Sequence, residues 1–331
     1  MTRSLLAPLF AFLLGLAVIS PATAAEEFRV GYVRVMDDAQ AMLAYEAGLY
    51  EKYGLDAELI EFSSGTDLIK GIVGGQLDIG VLGFSNAFTW ASRGADLKIV
   101  GGAQRGYHAM LARDDAGIES IEDLKGKNLA SQKQGSTADI VLKGVTLAGA
   151  GLSPSDLNIM GVAPAVAIQS LVGGRVDAAF LFEPYASIAK LVAPVNEIYE
   201  IGEVWPFPCM VVITSGETLK NRKDVLWAAL DAQRDAIDML ENRPEEASPY
   251  ITDYFIREPV VKSRNQGDIP SEQVITNAIK TNDFSARLTQ DDISRMKELA
   301  VIMQEQDILQ VEGEFDVDAL LDLSWQQARE L

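Results

Sequence analysis

Apolar and polar positions follow two rhythms along this chain. Short runs of strand length occur at Phe28–Val33, Leu55–Ile60, Lys127–Gln132 and Pro154–Ile159. Between them, Ala41, Leu43-Ala44, Ala47 and Leu49-Tyr50 recur at helical spacing before Gly54. The rhythm repeats. Gly74-Gly75-Gln76-Leu77-Asp78-Ile79 returns as Gly173-Gly174-Arg175-Val176-Asp177-Ala178 at an offset of 99 residues. Holding that offset pairs Ala39–Glu51 with Ala138–Ala150, and Asp67–Val73 with Val166–Val172. Each copy reads strand, helix, strand, helix, strand, helix, the pattern of a mostly parallel sheet with helices on both faces.

Punctuation agrees with the pattern. Ser136-Thr137 can cap a helix over Ala138–Ala148, and Pro164 suits the first turn of a helix through Leu171. Gly75 and Gly174 suit left-handed helix ends. After Pro206, Met210–Thr214 reads as a strand and the rest as mostly helical: Asp224–Leu240, Glu245–Phe255, Gln273–Lys280, Asp291–Gln304 and Val317–Arg329, with Arg257–Pro270 a polar connection. Thr289, three residues before Asp292, predicts a capped start. Crossings between lobes are expected at Ala103–Gly106 and near Ile201–Trp205. The first lobe is then discontinuous, residues 25–104 plus 205–331, and the second spans 105–204.

Residues 1–24 have a different character. Arg3, an apolar core from Leu5 to Ile19, and Ala22-Thr23-Ala24 give the three parts of a cleavable export signal. The apolar run is shorter than the ~20 residues of a membrane span. No Cys lies near the cleavage site, which excludes a lipid anchor there, so the expectation is a soluble periplasmic protein that is not a lipoprotein.

Composition narrows the chemistry. A net charge of -20, from 28 Lys+Arg against 48 Asp+Glu, argues against nucleic acid. One Cys and one His exclude an internal disulfide framework and a Cys- or His-rich metal site. No GxGxxG, GxxxxGK[ST], HExxH, CxxC or GxSxG occurs. No cofactor, metal or catalytic residue is expected.

In open α/β sheets ligands bind beyond the carboxyl ends of the strands. The repeat puts Ser63-Ser64-Gly65-Thr66, Gly83-Phe84-Ser85-Asn86, Gln134-Gly135-Ser136-Thr137 and Phe182-Glu183-Pro184-Tyr185 there, joined by Arg34–Asp37 (with Met36) and Ala163-Pro164. Three of these loops offer Gly and hydroxyl or amide side chains at helix starts, where free N–H groups favour an anion; ordinary capping needs the same residue types. Arg34 and Arg105 are candidate charge partners for an anion, though Arg105 at a crossing also suits an interlobe salt bridge. Phe84, Phe182 and Tyr185 could form an apolar wall. Glu183 is a solvated charge or a partner for a ligand ammonium, which would suit a zwitterion. His108 reads as structural, and Cys209 as a buried small apolar residue.

These segments resemble the periplasmic solute-binding proteins of the sulfonate/nitrate/taurine ABC importers, which share a sequence family with hydroxymethylpyrimidine-binding proteins. The matching residues are Ala44-Tyr45-Glu46-Ala47-Gly48-Leu49-Tyr50, Tyr53-Gly54-Leu55-Asp56, Gly75-Gln76-Leu77-Asp78-Ile79-Gly80, Ile121-Glu122-Asp123-Leu124-Lys125-Gly126-Lys127, Gly174-Arg175-Val176-Asp177-Ala178 and Glu183-Pro184-Tyr185. The resemblance implies a two-lobe, type II-like receptor that holds a small molecule in an interlobe cleft, works as a monomer and delivers the ligand to a permease in the inner membrane. It implies ligand contacts at Ser64, Gly65, Thr66, Ser85, Asn86, Ser136, Thr137 and Glu183; Phe84, Gln134, Tyr185, Arg34 and Met36 complete the candidates. The ligand class stays open between a small oxyanion or zwitterion, such as a sulfonate or taurine, and a pyrimidine-like aromatic. An enzyme on the same fold using Glu183, and a sensing or adhesion role, are the readings of another class.

Overall fold

The computed structural model describes residues 25–331, so the expected export signal lies outside the described residues. In chain order the strands are β1 (Glu26–Val33), β2 (Leu55–Phe62), β3 (Ile79–Gly83), β4 (Leu97–Arg105), β5 (Ala109–Arg113), β6 (Asn128–Ser131), β7 (Asn158–Gly161), β8 (Ala178–Leu181), β9 (Val195–Glu200), β10 (Pro208–Ser215), β11 (Val260–Ser263), β12 (Gly267–Pro270) and β13 (Asp283–Phe284). One sheet has the order β13-β4-β10-β3-β1-β2 and the other β7-β6-β8-β5-β9. In both, the repeat supplies a parallel triad, β2-β1-β3 and β7-β6-β8.

The offset of 99 survives at atomic detail. Val30 pairs with Ile79 in the first triad, and Leu129 with Ala178 in the second. Asp78 accepts the backbone N–H of Arg29 at 2.8 Å, and its counterpart Asp177 accepts that of Asn128 at 2.8 Å. Each carboxylate ties the start of one strand to the first strand of its triad. Gly75 and Gly174 take φ of 69° and 66°, the left-handed end that each preceding helix needs. The helices Gly65–Val73 and Pro164–Val172 also stand 99 residues apart.

Each sheet is completed by a strand that has just crossed from the other. β5 runs antiparallel between β8 and β9, and β10 antiparallel between β3 and β4. The two crossings lie side by side and bond to each other. Gly106 N–H donates to the Phe207 carbonyl at 2.8 Å, Ile201 N–H to the His108 carbonyl at 3.1 Å, and His108 N–H to the Glu200 carboxylate at 3.3 Å. A Cβ on Gly106 would collide with the Phe207 ring, so the close approach requires glycine. Arg105 pairs with Asp283 at 3.0 Å and Asp292 at 3.1 Å, both in the C-terminal segment that completes the first sheet, rather than bridging the lobes.

Both faces of each sheet are covered. Ile79 and Val81 of β3 bury against Leu226 and Leu230 of the helix Lys223–Asn242, while Leu82 faces Leu68, Ile72 and Phe88. In the second sheet Met110 and Phe180 face one core, Leu111 and Leu181 the other. The first of these cores is shared: Met296, Leu299 and Met303 of the helix Gln290–Glu305 join residues of both sheets. Thr289 and Asp292 form the capping box expected at that helix start.

Three local expectations are corrected. Within the expected polar connection Arg257–Pro270, Val260–Ser263 and Gly267–Pro270 pair as a hairpin, with Gly267 at φ 77°. The expected helix over Val317–Arg329 is broken into a 3-10 turn at Asp318–Leu320, a bridge from Leu321 to Ile99, and a short helix Ser324–Ala328 that buries Trp325 against the first sheet. The helix over Ala138–Ala148 begins as Thr137–Val141 and continues as π turns at Leu142–Leu147, where Gly144 leaves room for Ile302.

Candidate ligand-binding cleft

Between the two sheets lies a cavity of about 570 Å³, walled by loops that follow their strands. From the first sheet come Arg34, Asp37, Ser64, Gly65, Thr66, Gly83 and Asn86; from the second come His108, Lys133, Gln134, Ser136, Thr137, Phe182 and Tyr185. Val33, Leu82, Val162 and Met210 give the wall an apolar component. The volume suits a small molecule rather than a polymer.

Helix starts build the polar side. The Ser64 hydroxyl accepts the Asp67 N–H at 3.2 Å and caps the helix Gly65–Val73; Ser136 caps the helix Thr137–Val141 through Asp139 N–H at 3.2 Å. Both serine oxygens are therefore engaged in capping while their loops still face the cavity. Pro164 opens the helix Pro164–Val172, whose start lines the cavity with Ala163 and needs no N–H there. Arg34 reaches the cavity with its guanidinium bonded to Glu61, which also accepts the Tyr32 hydroxyl at 3.3 Å. Asn86 sits between loops, donating to the Gly83 carbonyl at 3.3 Å and packed where a Cβ on Gly65 would stand.

Beside the cavity the lobes meet in a buried hydroxyl pair. Ser85 Oγ and Thr137 Oγ1 are 2.7 Å apart. Thr137 lines the cavity, whereas Ser85 is absent from its lining and spends its hydroxyl on this contact.

Thus Arg34, Ser64, Gly65, Thr66, Asn86, Gln134, Ser136, Thr137 and Tyr185 come together at the cavity, and four candidates do not. Met36 and Phe84 are fully buried in the first lobe, Met36 in the core that holds Val100 and Val212, Phe84 edge-on to Phe88 at 5.0 Å. Glu183 is fully buried; its carboxylate takes the Ser187 N–H at 3.0 Å and hydroxyl at 2.9 Å, inside the first turn of the helix Tyr185–Val192. Burial pushes this carboxyl up to about 7. Glu183 is neither solvated nor part of the cavity wall; its carboxylate is engaged at the helix start.

Other lining residues were not picked out as contacts from the sequence. Asp37 is 2% exposed, and burial, followed by the charge of Glu183, pushes its carboxyl up to about 8. His108 stacks on Phe180 at 5.4 Å, and burial holds its imidazole down at about 4, so it is neutral at pH 7. Cys209 is buried as expected, yet borders the cavity. The signals for Asp37 were its place in the strand-end loop Arg34–Asp37 and an acidic pair, Asp37-Asp38, between apolar Met36 and Ala39, which also fits an ordinary helix start.

The model of the NMT1-like family matches residues 22–252. The chain belongs to the NMT1-like family. A Brucella abortus (strain 2308) protein named as a binding protein is 25% identical over 256 residues, covering 75% of this chain and 78% of that one. A Bacillus subtilis (strain 168) protein named for binding aliphatic sulfonates is 31% identical over 172 residues, 50% of this chain and 51% of that one. Among solved structures, the alkanesulfonate-binding protein SsuA from Xanthomonas axonopodis pv. citri, bound to MOPS, superposes with a TM-score of 0.74 at 20% identity, covering 91% of this chain and all of that one. At that identity the likeness establishes the two-lobe periplasmic binding protein fold and leaves the ligand to the cleft's own residues.

Proposed function

We propose that this chain is the extracytoplasmic solute-binding component of an ABC importer, and that it holds a small oxyanion or zwitterion, such as a sulfonate or taurine, between lobes formed by residues 25–104 plus 205–331 and by residues 105–204. The observation that carries the reading is the convergence, on one cavity, of helix starts from both sheets with Arg34 and Lys133. Backbone N–H groups and the positive ends of helices favour an anion without requiring a cationic protein, so the overall charge of -20 is no obstacle. The family match and the sulfonate-named relative point the same way. A closed lobe pair around the solute is the state a membrane permease would recognise.

The apolar part of the wall, Val33, Leu82, Val162, Phe182 and Tyr185, supports an aromatic ligand such as a hydroxymethylpyrimidine as the second reading. Isothermal titration with taurine, alkanesulfonates, nitrate and aromatic sulfonates tests the first. Saturable heat with at least one sulfonate is expected. Silence across that set, with binding of a hydroxymethylpyrimidine, would replace it by the second.

A further inference from the structure

Among the described residues, nine buried side-chain nitrogen and oxygen atoms have no hydrogen-bond partner. Two of them belong to residues that line the cleft, Asp37 Oδ1 and His108 Nδ1. The others, including those of the neighbouring Asp38 and Gln40, belong to residues outside the lining. Buried polar atoms are normally satisfied, because an unmet one forfeits its hydration for nothing. An unmet one on a ligand cavity can be satisfied by the ligand.

Asp37 is the more informative of the two. It sits in the short turn Met36–Asp38 that follows β1, with 2% of its surface exposed. Its surroundings are acidic or neutral. Asp38 is buried beside it and accepts the Val33 N–H at 2.8 Å; Glu183 is near enough to disfavour its ionisation; Cys209 is buried, and its thiol is pushed up by burial and by Asp37 and Asp38. The guanidinium of Arg34 is already committed to Glu61. His108 is neutral and brings no charge. An unpaired carboxyl oxygen placed this way can accept a hydrogen bond, which the helix starts on the same cavity, offering only donors, cannot do.

We propose that Asp37 is a specificity-determining acceptor that takes an N–H group of the bound solute, so that the cleft selects a nitrogen-bearing oxyanion, an aminosulfonate type of compound, over a plain one. This rests on the oxyanion reading given above and sharpens it. The oxyanion end meets the helix starts at Ser64–Thr66 and Ser136–Thr137. The amino end meets the unpaired Asp37 oxygen, which ionises fully once a cation neutralises it.

The test uses matched pairs that differ by one amino group: taurine against ethanesulfonate, and 3-aminopropanesulfonate against propanesulfonate, with 4-amino-5-hydroxymethyl-2-methylpyrimidine as a donor that carries no oxyanion. Each is titrated calorimetrically into the wild-type protein and into Asp37→Asn, which keeps the volume and cannot ionise. The aminated member of each pair should bind at least ~10-fold more tightly to wild type, and Asp37→Asn should bring the pair within ~2-fold. Equal binding of both members to wild type would overturn the role of Asp37 while leaving the oxyanion reading intact. A preference that persists in Asp37→Asn would overturn it too. If the sulfonates fail but the aminopyrimidine binds and Asp37→Asn loses it, the oxyanion reading falls and the acceptor role stands. Silence from every compound with wild type would count against both.

Discussion

Gly83 offers a direct test of how the lobes meet. It ends β3 and precedes the helix Phe84–Ala91 with φ -58° and ψ 128°, a conformation open to any residue, so Gly83→Ala introduces no backbone strain. The new methyl group would collide with Thr137 Oγ1 of the other lobe, while the Thr137 Cβ at 3.5 Å and Asn86 Nδ2 at 3.4 Å stand at ordinary contact. Two routes relieve the collision. Thr137 can rotate, which abandons its 2.7 Å bond and leaves the buried Ser85 hydroxyl unpaired at ~1–3 kcal/mol. Alternatively the lobes can ease apart, an overpacking cost also of ~1–3 kcal/mol. Offsetting either, replacing glycine gains ~0.4–1 kcal/mol through the unfolded chain. The net loss should be about 1–2 kcal/mol, a drop of roughly 5- to 30-fold in the corresponding equilibrium constant. In a Thr137→Ala background the obstructing oxygen is gone, and Gly83→Ala should become neutral or slightly stabilising. Urea denaturation of the four variants reads this coupling, and small-angle scattering shows whether the lobes have separated. Additivity of the two substitutions within ~0.5 kcal/mol would refute the interlobe contact.

Two further predictions concern carboxyls. Asp37 and Glu183 have folded values of about 8 and about 7, above their ordinary ones, so the folded chain keeps protons that the unfolded chain releases. The stability involved is full in acid and drains as pH rises through those values; the urea midpoint should fall between pH 5 and 8.5, with Asp37→Asn flattening the profile and parallel profiles contradicting the assignment. Asp78→Ala and Asp177→Ala should each cost ~1–3 kcal/mol of unfolding free energy by orphaning an equivalent backbone N–H, with Asp78→Ala the worse because its carboxylate also pairs with Arg222 and Arg29. Equal losses would mean that those arginines contribute nothing.

Much of the architecture was legible because it is written twice. Gly75 and Gly174, Asp78 and Asp177, and the two helices opened by Gly65 and Pro164 solve the same local problems 99 residues apart. Strand β5 is not part of that repetition, and Ala109–Arg113 carries no strong periodic signal of its own, so its insertion between β8 and β9 escaped notice. The break in Val317–Arg329 arises from tertiary demand, since Leu321 pairs with Ile99 and Trp325 buries in the core. At the cleft, Gly and hydroxyl residues at helix starts revealed the loops that line it. Which acid faces the cavity could not be read the same way. Glu183 and Asp37 both follow a strand end, and only the packing decides that Ser187 claims the first while one oxygen of the second stays unpaired.

The paired crossings have a mechanical consequence. Two strips of chain laid side by side and laced by Gly106–Phe207, Ile201–His108 and His108–Glu200 bonds behave as one flexible band. Folding such a band about its width disturbs few of those bonds, while twisting or sliding it shears all of them. Relative motion of the lobes is thereby steered towards a single degree of freedom. The polar ties it would strain at the edges include Ser85 to Thr137, Gln306 to the Ile140 carbonyl at 3.1 Å, and Arg264 N–H to the Leu191 carbonyl at 2.9 Å. In the proposed role as a receptor, occupancy would then be expressed as one angle, a signal that a partner in the membrane could read without touching the solute.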